Sequence, residues 1–179
     1  MAPADLRRIQ TGAAVSGVLS LQHDDCLSYW GIDDESMQRT AASLGLKMTR
    51  CPIRDFDLAD MRRCLPAAVK TLSSLILQSH RVYVHCTAGM GRAPLTVLGY
   101  LSLVDGYHPN EAIHLIQASR PGAVPAREAF KGCVSDLTEQ HWEAIKRRAY
   151  ELYAQEINGG AHSDWVQAQA EILRAVLTS

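Results

Sequence analysis

The chain is poor in aromatic residues and has no long hydrophobic run. Phenylalanine, tryptophan and tyrosine together make up 6% of its 179 residues, so a local cluster of aromatic side chains is notable. No segment of about 18 consecutive apolar residues occurs, which excludes a conventional membrane-spanning helix. The opening sequence MAPADLRRIQTG includes Asp5 and lacks the apolar segment of a secretory signal peptide.

The chain also lacks a surplus of either charge. It contains 18 Lys and Arg against 19 Asp and Glu, which gives a net charge of −1. Proteins that bind nucleic acids or anionic membranes usually carry a basic surplus, so neither is an expected partner.

Cysteines are few and scattered. An odd number, five, occurs without a C-x-x-C pair: Cys26, Cys51, Cys64, Cys86 and Cys133. This pattern argues against a disulfide framework and predicts a soluble protein in a reducing compartment. His23 and Cys26 lie three positions apart, but no second ligand pair accompanies them, so we expect no metal and no other cofactor.

Short apolar segments alternate with longer segments of helical periodicity, which is typical of a layered α/β domain. Residues 13–22, 46–53 and 81–85 predict strands, and residues 23–33 predict a polar loop with an aromatic pair. A single helix is expected from about Arg127 into the 150s. The predicted fold class is therefore α/β, with a central, mostly parallel sheet flanked by helices.

The sequence VHCTAGMGRAP (residues 84–94) joins a predicted strand to a predicted helix. The strand brings Cys86 to the carboxyl edge of the sheet, where open α/β folds bind ligands. Gly89 and Gly91 allow a tight turn with inward-pointing amides, and the helix N-terminus adds positive potential. That potential favours the thiolate of Cys86, and the Arg92 guanidinium can hold two phosphate oxygens. The segment therefore predicts phosphoryl transfer to Cys86.

The spacing C-x5-R alone is weak evidence for a catalytic site, because it also arises by chance. The competing interpretation is a structural Cys86 at the end of a strand, with Arg92 on the surface. The preceding strand, the two glycines and the following helix favour the catalytic interpretation.

The segment HCTAGMGR is similar to the H-C-x5-R signature of cysteine-dependent protein tyrosine and dual-specificity phosphatases. The resemblance implies the protein tyrosine phosphatase-like fold, here with a C-terminal helical extension. It implies that Cys86 is the nucleophile and that Arg92 clamps the phosphate. It also implies a phosphate-binding loop over residues 87–92, in which the substrate contacts are Thr87, Ala88, Gly89, Met90 and Gly91.

The same resemblance places a general acid upstream, and the sequence RDFD (54–57) provides candidates. Proton delivery to a leaving oxygen needs a carboxylic acid on a loop within hydrogen-bond reach. Asp55 matches the family position of this acid. Asp57 is the alternative, although as an N-cap of the following helix it would have a structural role.

The Ala93-Pro94 ending of the signature looks like one branch, the plant and algal glucan phosphatases that dephosphorylate starch. The segments LSLQHDDCLSYWGID, RCPIRDFDLADMRRCLPAAV and SDWVQAQAEIL also resemble that branch. Most other members have Ser or Thr in place of Ala93, and this hydroxyl assists the second step. We therefore expect slower hydrolysis of the phosphoenzyme.

The glucan branch implies a glucan substrate, a cysteinyl-phosphate intermediate and a chloroplast location, with the cytoplasm as an alternative location. By resemblance, Tyr29, Trp30 and Phe56 form part of an aromatic channel, since aromatic rings stack on sugar faces. The alternative for Tyr29 and Trp30 is that they cover the edge of the sheet. Two other functions stay open: a dual-specificity phosphatase of phosphoserine, phosphothreonine or phosphotyrosine in proteins, and a binding module without turnover.

The resemblance also suggests a domain division. Residues 1–157 are expected to form the catalytic domain, which begins late because family members usually carry an extra strand and turn before residue 13. Residues 158–179 are expected to form an amphipathic helix that packs on it. No separate carbohydrate-binding module is predicted, because the pattern after residue 138 is helical and a sandwich needs many strands.

Overall fold

The computed structural model describes residues 3–155 and 160–179. Its strands are β1 (Gly17–Gln22), β2 (Lys47–Ile53) and β3 (Val82–His85). Its helices are α1 (Pro3–Ala13), α2 (Asp24–Tyr29), α3 (Asp34–Ser43), α4 (Leu58–Leu77), α5 (Arg92–Leu103), α6 (Pro109–Ser119), α7 (Arg127–Gln140), α8 (Trp142–Ala154) and α9 (Ala161–Thr178).

The three strands form a wholly parallel sheet in the order β2-β1-β3. Every residue of the central strand β1 is buried, as expected for a parallel strand with helices on both faces. Strand β3 lies at the edge, where Ser20 of β1 is paired with His85. The predicted α/β class with a parallel sheet is confirmed.

Alternate residues of β1 enter two different hydrophobic clusters. Leu19 and Leu21 join the larger cluster, which also contains residues of α4, α5, α6, α7 and α9. Val18 joins a smaller cluster with Leu6 of α1 and Met37 of α3. The sheet is therefore covered by helices on both faces, because successive side chains of a strand point to opposite sides.

The C-terminal helix α9 contributes directly to the main core through Leu173 and Leu177, both buried. It also packs against α8, and the rings of Trp142 and Trp165 lie 4.6 Å apart between their centroids. The predicted boundary between residues 157 and 158 lies outside the described residues. In the part of the chain that the structure describes, no helix is long and apolar enough to cross a membrane.

Three predicted elements differ in the structure. The strand predicted at 13–22 begins only at Gly17, because α1 continues to Ala13. Residues 24–29 form helix α2 rather than a loop, since the His23 side chain caps it and two acidic residues occupy its first turn. The helix predicted from Arg127 into the 150s is interrupted at His141, which ends α7 and precedes α8.

Candidate active site

Strand β3 delivers Cys86 to the carboxyl edge of the sheet, and residues 87–91 turn directly into helix α5. Gly89 adopts a φ of +69°, a conformation that favours glycine. Gly91 is the N-cap residue of α5, and its carbonyl accepts a hydrogen bond from the amide of Leu95 at 2.9 Å. The loop therefore lies on the N-terminus of a 12-residue helix, an arrangement that favours anion binding.

His85, which precedes the cysteine, is buried and electrically neutral. Its Nδ1 lies 3.2 Å from the carbonyl oxygen of Cys86, and because that oxygen accepts, Nδ1 carries the proton. Burial lowers the pKa of His85 to about 4. Positive potential at Cys86 therefore has to come from the helix N-terminus and from Arg92, not from an imidazolium.

This neutral histidine predicts a loss of stability in mild acid. The unfolded chain protonates His85 near pH 6.5, whereas the folded protein resists protonation down to about pH 4, so protons favour unfolding in that window. At pH 5 this difference in protonation lowers the free energy of unfolding by about 2 kcal/mol. The free energy of unfolding, measured with urea, should fall between pH 7.5 and pH 5 in the wild-type protein. In His85→Asn we expect this fall to be smaller than in wild type by about the same 2 kcal/mol.

The control for that measurement is His114→Asn, because His114 is exposed on α6 and its replacement should leave the fall unchanged. Equal falls in wild type and His85→Asn would contradict the prediction.

Arg92 lies at the base of the site, with its side chain only 1% exposed. Its Nη1 donates to the carbonyl of Ile53 at 2.9 Å, and its Nη2 donates to Thr87 Oγ1 at 3.0 Å and to Asp55 Oδ2 at 2.6 Å. Its Nε is buried and has no hydrogen-bond partner among the described residues. A buried donor without a partner is costly, so this nitrogen favours an arriving anion.

The two candidate acids have different partners. Asp55 is about one-third exposed and lies against Arg92. Asp57 is the N-cap residue of α4, where its Oδ1 accepts from the amide of Asp60 at 2.9 Å. The structure thus brings Asp55, and not Asp57, together with Arg92.

Two further residues reach the site although sequence analysis did not select them. Gln22 Nε2 lies 3.4 Å from Thr87 Oγ1, and Cys26 Sγ lies 3.5 Å from Arg92 Nη1. Gln22 ends the strand next to β3, a position that could have indicated it. No sequence signal links Cys26 to Arg92.

The aromatic candidates are exposed, and they lie in the two segments that supply Cys26 and Asp55 as partners of Arg92. Tyr29 is 80% and Trp30 is 61% exposed. They follow Cys26, whose Sγ lies 3.5 Å from Arg92 Nη1, by about one helical turn. Phe56 directly follows Asp55, is 95% exposed and has a φ of +58°, which costs on the order of 1 kcal/mol for a non-glycine residue.

Arg50 fixes the segment that carries Tyr29 and Trp30. One of its terminal nitrogens donates to the carbonyl of Gln22 at 3.1 Å and to Asp24 at 2.6 Å, and the other donates to Asp34 at 3.3 Å. The side chain therefore ties the end of β1 to the start of both α2 and α3.

A cavity of about 610 Å³ borders residues 86–89 on the side of α5 and α6. Its lining includes Cys86, Thr87, Ala88, Gly89 and Arg120, but not Arg92, Asp55 or any of the three aromatic candidates.

The family model for the dual specificity phosphatase catalytic domain matches residues 31–140. The chain belongs to this family. Among curated proteins, it is 36% identical over 137 residues to phosphoglucan phosphatase DSP4, amyloplastic, from Castanea sativa, covering 75% of this chain and 36% of the relative. Phosphoglucan phosphatase LSF1, chloroplastic, from Arabidopsis thaliana is 32% identical over 115 residues, covering 61% of this chain and 20% of the relative.

Laforin from Mus musculus is 30% identical over 106 residues, covering 59% of this chain and 32% of that protein. The chain thus spans about a third or less of the length of these curated relatives. The predicted resemblance to the phosphoglucan phosphatases is confirmed.

Solved structures support the fold alone. The crystal structure of PTPMT1 matches with a TM-score of 0.58 at 21% identity, covering 82% of this chain and 90% of that one. Tk-PTP in the active form matches with a TM-score of 0.56 at 22% identity, covering 77% of this chain and 86% of that one. The predicted phosphatase fold is confirmed.

His23 and Cys26 have separate partners in the structure. His23 Nδ1 accepts from the amide of Asp25, while Cys26 faces Arg92. Within residues 3–155 and 160–179, no cluster of three or more potential metal ligands occurs.

Proposed function

We propose that this protein removes phosphate monoesters from starch-type glucan chains through a cysteinyl-phosphate intermediate. The observation that carries the proposal is the buried Arg92 beside a Cys86 loop on a helix N-terminus, with the Nε of Arg92 unpartnered among the described residues. The similarity to two named phosphoglucan phosphatases supports the choice of substrate.

In the first step, the thiolate of Cys86 attacks phosphorus while the ester P–O bond breaks. Asp55, protonated, transfers its proton to the departing glucan oxygen, which leaves as a hydroxyl. The amides of residues 87–91 and the Arg92 guanidinium hold the other phosphate oxygens and stabilise the charge of the transition state.

In the second step, water attacks the phosphocysteine and the S–P bond breaks, which releases inorganic phosphate and regenerates the thiolate. Asp55, now a carboxylate, accepts the proton of the attacking water. Ala93 has no hydroxyl to assist the leaving sulfur, and the hydroxyl of Thr96 donates instead to the Arg92 carbonyl at 3.1 Å. This second step is therefore expected to limit turnover.

The glucan substrate is supported by the exposed aromatic side chains. Tyr29 and Trp30 pack edge to face, with ring centroids 5.1 Å apart, and Phe56 follows Asp55. Rings held in this way offer apolar faces to a sugar chain whose phosphate lies in the loop. A plastid location is part of the proposal, because two relatives are named amyloplastic and chloroplastic.

Trp30→Ala tests the glucan substrate. We expect kcat/KM for phosphate release from amylopectin to fall roughly 3- to 10-fold, the loss of one stacked ring, while hydrolysis of a small aryl phosphate stays unchanged. The measurement is phosphate release from both substrates. Tyr150→Ala, which removes an exposed aromatic residue of α8, is the control and should affect neither substrate. Equal losses on amylopectin and aryl phosphate in Trp30→Ala would reject the glucan interpretation.

A dual-specificity protein phosphatase is the second candidate, because the matched family model carries that description. Phosphate release from phosphopeptides and from amylopectin, compared at equal phosphate-ester concentrations, separates the two. Faster release from phosphopeptides would favour the protein substrate. One phosphate released per molecule without further turnover would favour a binding module.

A further inference from the structure

The side chain of Arg120 lies against the outer side of the phosphate-binding loop. Its Nε donates to the carbonyl of Gly89 and its Nη2 donates to the carbonyl of Ala88, both at 2.8 Å. The backbone amide of Val124 donates to the next carbonyl, that of Met90, at 2.7 Å. Three successive loop carbonyls are therefore held by residues 120–124.

These contacts determine where the loop amides point. In a planar trans peptide unit, the C=O and the following N–H point in opposite directions. Because the carbonyls of residues 88–90 face residues 120–124, the amides of residues 89–91 face the opposite side. An anion bound by this loop needs inward-pointing amides.

Gly89 allows Arg120 to approach this closely. A Cβ atom at position 89 would lie 3.0 Å from Nη2, 3.2 Å from Cζ and 3.3 Å from Nε of Arg120. The guanidinium is thus in van der Waals contact with the loop backbone as well as hydrogen-bonded to it. Among the described residues it forms no ion pair with a carboxylate, so its charge also faces the loop.

Arg120 is itself held firmly. It is the C-cap residue of α6, its amide donates to the carbonyl of Ile116 at 2.8 Å, and its carbonyl accepts from Ala123 at 2.9 Å. Gln117 Nε2 donates to the carbonyl of Ala123 at 3.1 Å and closes the turn. The Arg120 side chain therefore extends from a fixed backbone.

We propose that Arg120 is a positioning residue for phosphate binding and catalysis. It acts through the carbonyls of Ala88 and Gly89, which it keeps turned outward, and it does not itself contact the phosphate. This inference rests on the proposed function of residues 87–92 as the phosphate-binding loop.

The test compares Arg120→Met, which keeps an unbranched side chain, shorter than that of arginine, but removes the donors, with Arg120→Lys. The measurements are kcat and KM for a small aryl phosphate, the inhibition constant of inorganic phosphate, and the thermal midpoint. We expect Arg120→Met to weaken phosphate inhibition and lower kcat/KM by about 10- to 100-fold, the loss of two charge-assisted hydrogen bonds. Arg120→Lys should show a smaller loss, roughly 3- to 10-fold, because one ammonium replaces the planar pair of donors.

Arg127→Met is the matched control, because Arg127 is an exposed residue at the start of α7 and its loss removes the same charge. Its phosphate inhibition and kcat/KM should stay within about 2-fold of wild type. Wild-type phosphate inhibition in folded Arg120→Met would overturn the proposal, as would an equal loss in Arg127→Met. If Arg120→Met does not fold, Arg120→Lys provides the test of the proposal. Phosphate inhibition of Arg120→Lys equal to that of wild type would then overturn the proposal.

A different result would reject the proposed function itself. A wild-type protein that does not hydrolyse the aryl phosphate would reject the enzyme. An active wild type with an unaffected Arg120→Met would reject only the positioning by Arg120.

Discussion

Cys86→Ser is expected to lower kcat for a small aryl phosphate by at least about 10⁴-fold. An alcohol stays protonated at neutral pH and is a poor nucleophile without an adjacent base, whereas a thiolate is a strong one. Serine is close to cysteine in size, and the loop amides and Arg92 do not depend on the sulfur. The affinity for inorganic phosphate, measured by calorimetry, should therefore stay within about 3-fold of wild type.

Cys64→Ser is the control for this substitution. Cys64 lies on α4, and burial raises the pKa of its thiol, so it is a poor nucleophile and its replacement should preserve kcat. Turnover by Cys86→Ser at more than a tenth of the wild-type rate would exclude Cys86 as the nucleophile.

Arg92→Lys is expected to lower kcat/KM by about 10²- to 10⁴-fold. The guanidinium donates to Ile53, Thr87 and Asp55, and its Nε stays available for an oxygen of the substrate. An ammonium has only three hydrogens and no planar fork, so it cannot make these contacts and also hold two phosphate oxygens. The measurement is kcat/KM for an aryl phosphate, with the thermal midpoint to verify folding.

Arg62→Lys is the matched control for Arg92→Lys. Arg62 is a half-exposed arginine of α4 that also pairs with a carboxylate, that of Asp136, but it lies away from the loop. We expect its kcat/KM to be unchanged. A folded Arg92→Lys protein with kcat/KM within 10-fold of wild type would contradict the proposed phosphate clamp.

The sequence around Cys86 predicts its local structure well, because the residues that determine the strand, the turn and the helix follow one another in the chain. A β-branched run predicts the strand, two glycines predict the turn, and an apolar segment predicts α5. The distinction between Asp55 and Asp57 is also local, since an aspartate one residue before a helical segment is a typical N-cap.

Contacts between distant segments could not be predicted in the same way. The bonds from Arg92 to Asp55 and Ile53 join segments almost 40 residues apart, at distances of 2.6 and 2.9 Å. The contact of Arg120 with Ala88 likewise depends on how α6 packs against α5. The packing of α8 on α9 is likewise a tertiary contact that the sequence around His141 does not show.

The contact between Asp55 and Arg92 has a consequence for substrate selection. In the structure, one carboxylate already partners the guanidinium nitrogen that a phosphate would need. Two anions then compete for one cation, and the doubly charged phosphate is the stronger competitor. On the proposed mechanism, only a group that brings its own negative charge displaces Asp55 from Arg92, and the released carboxylate then takes up the proton that it delivers to the ester oxygen. Neutral esters and bare sugar chains would leave the Asp55 carboxylate paired with Arg92, so the charge of the scissile group becomes a condition for its own removal.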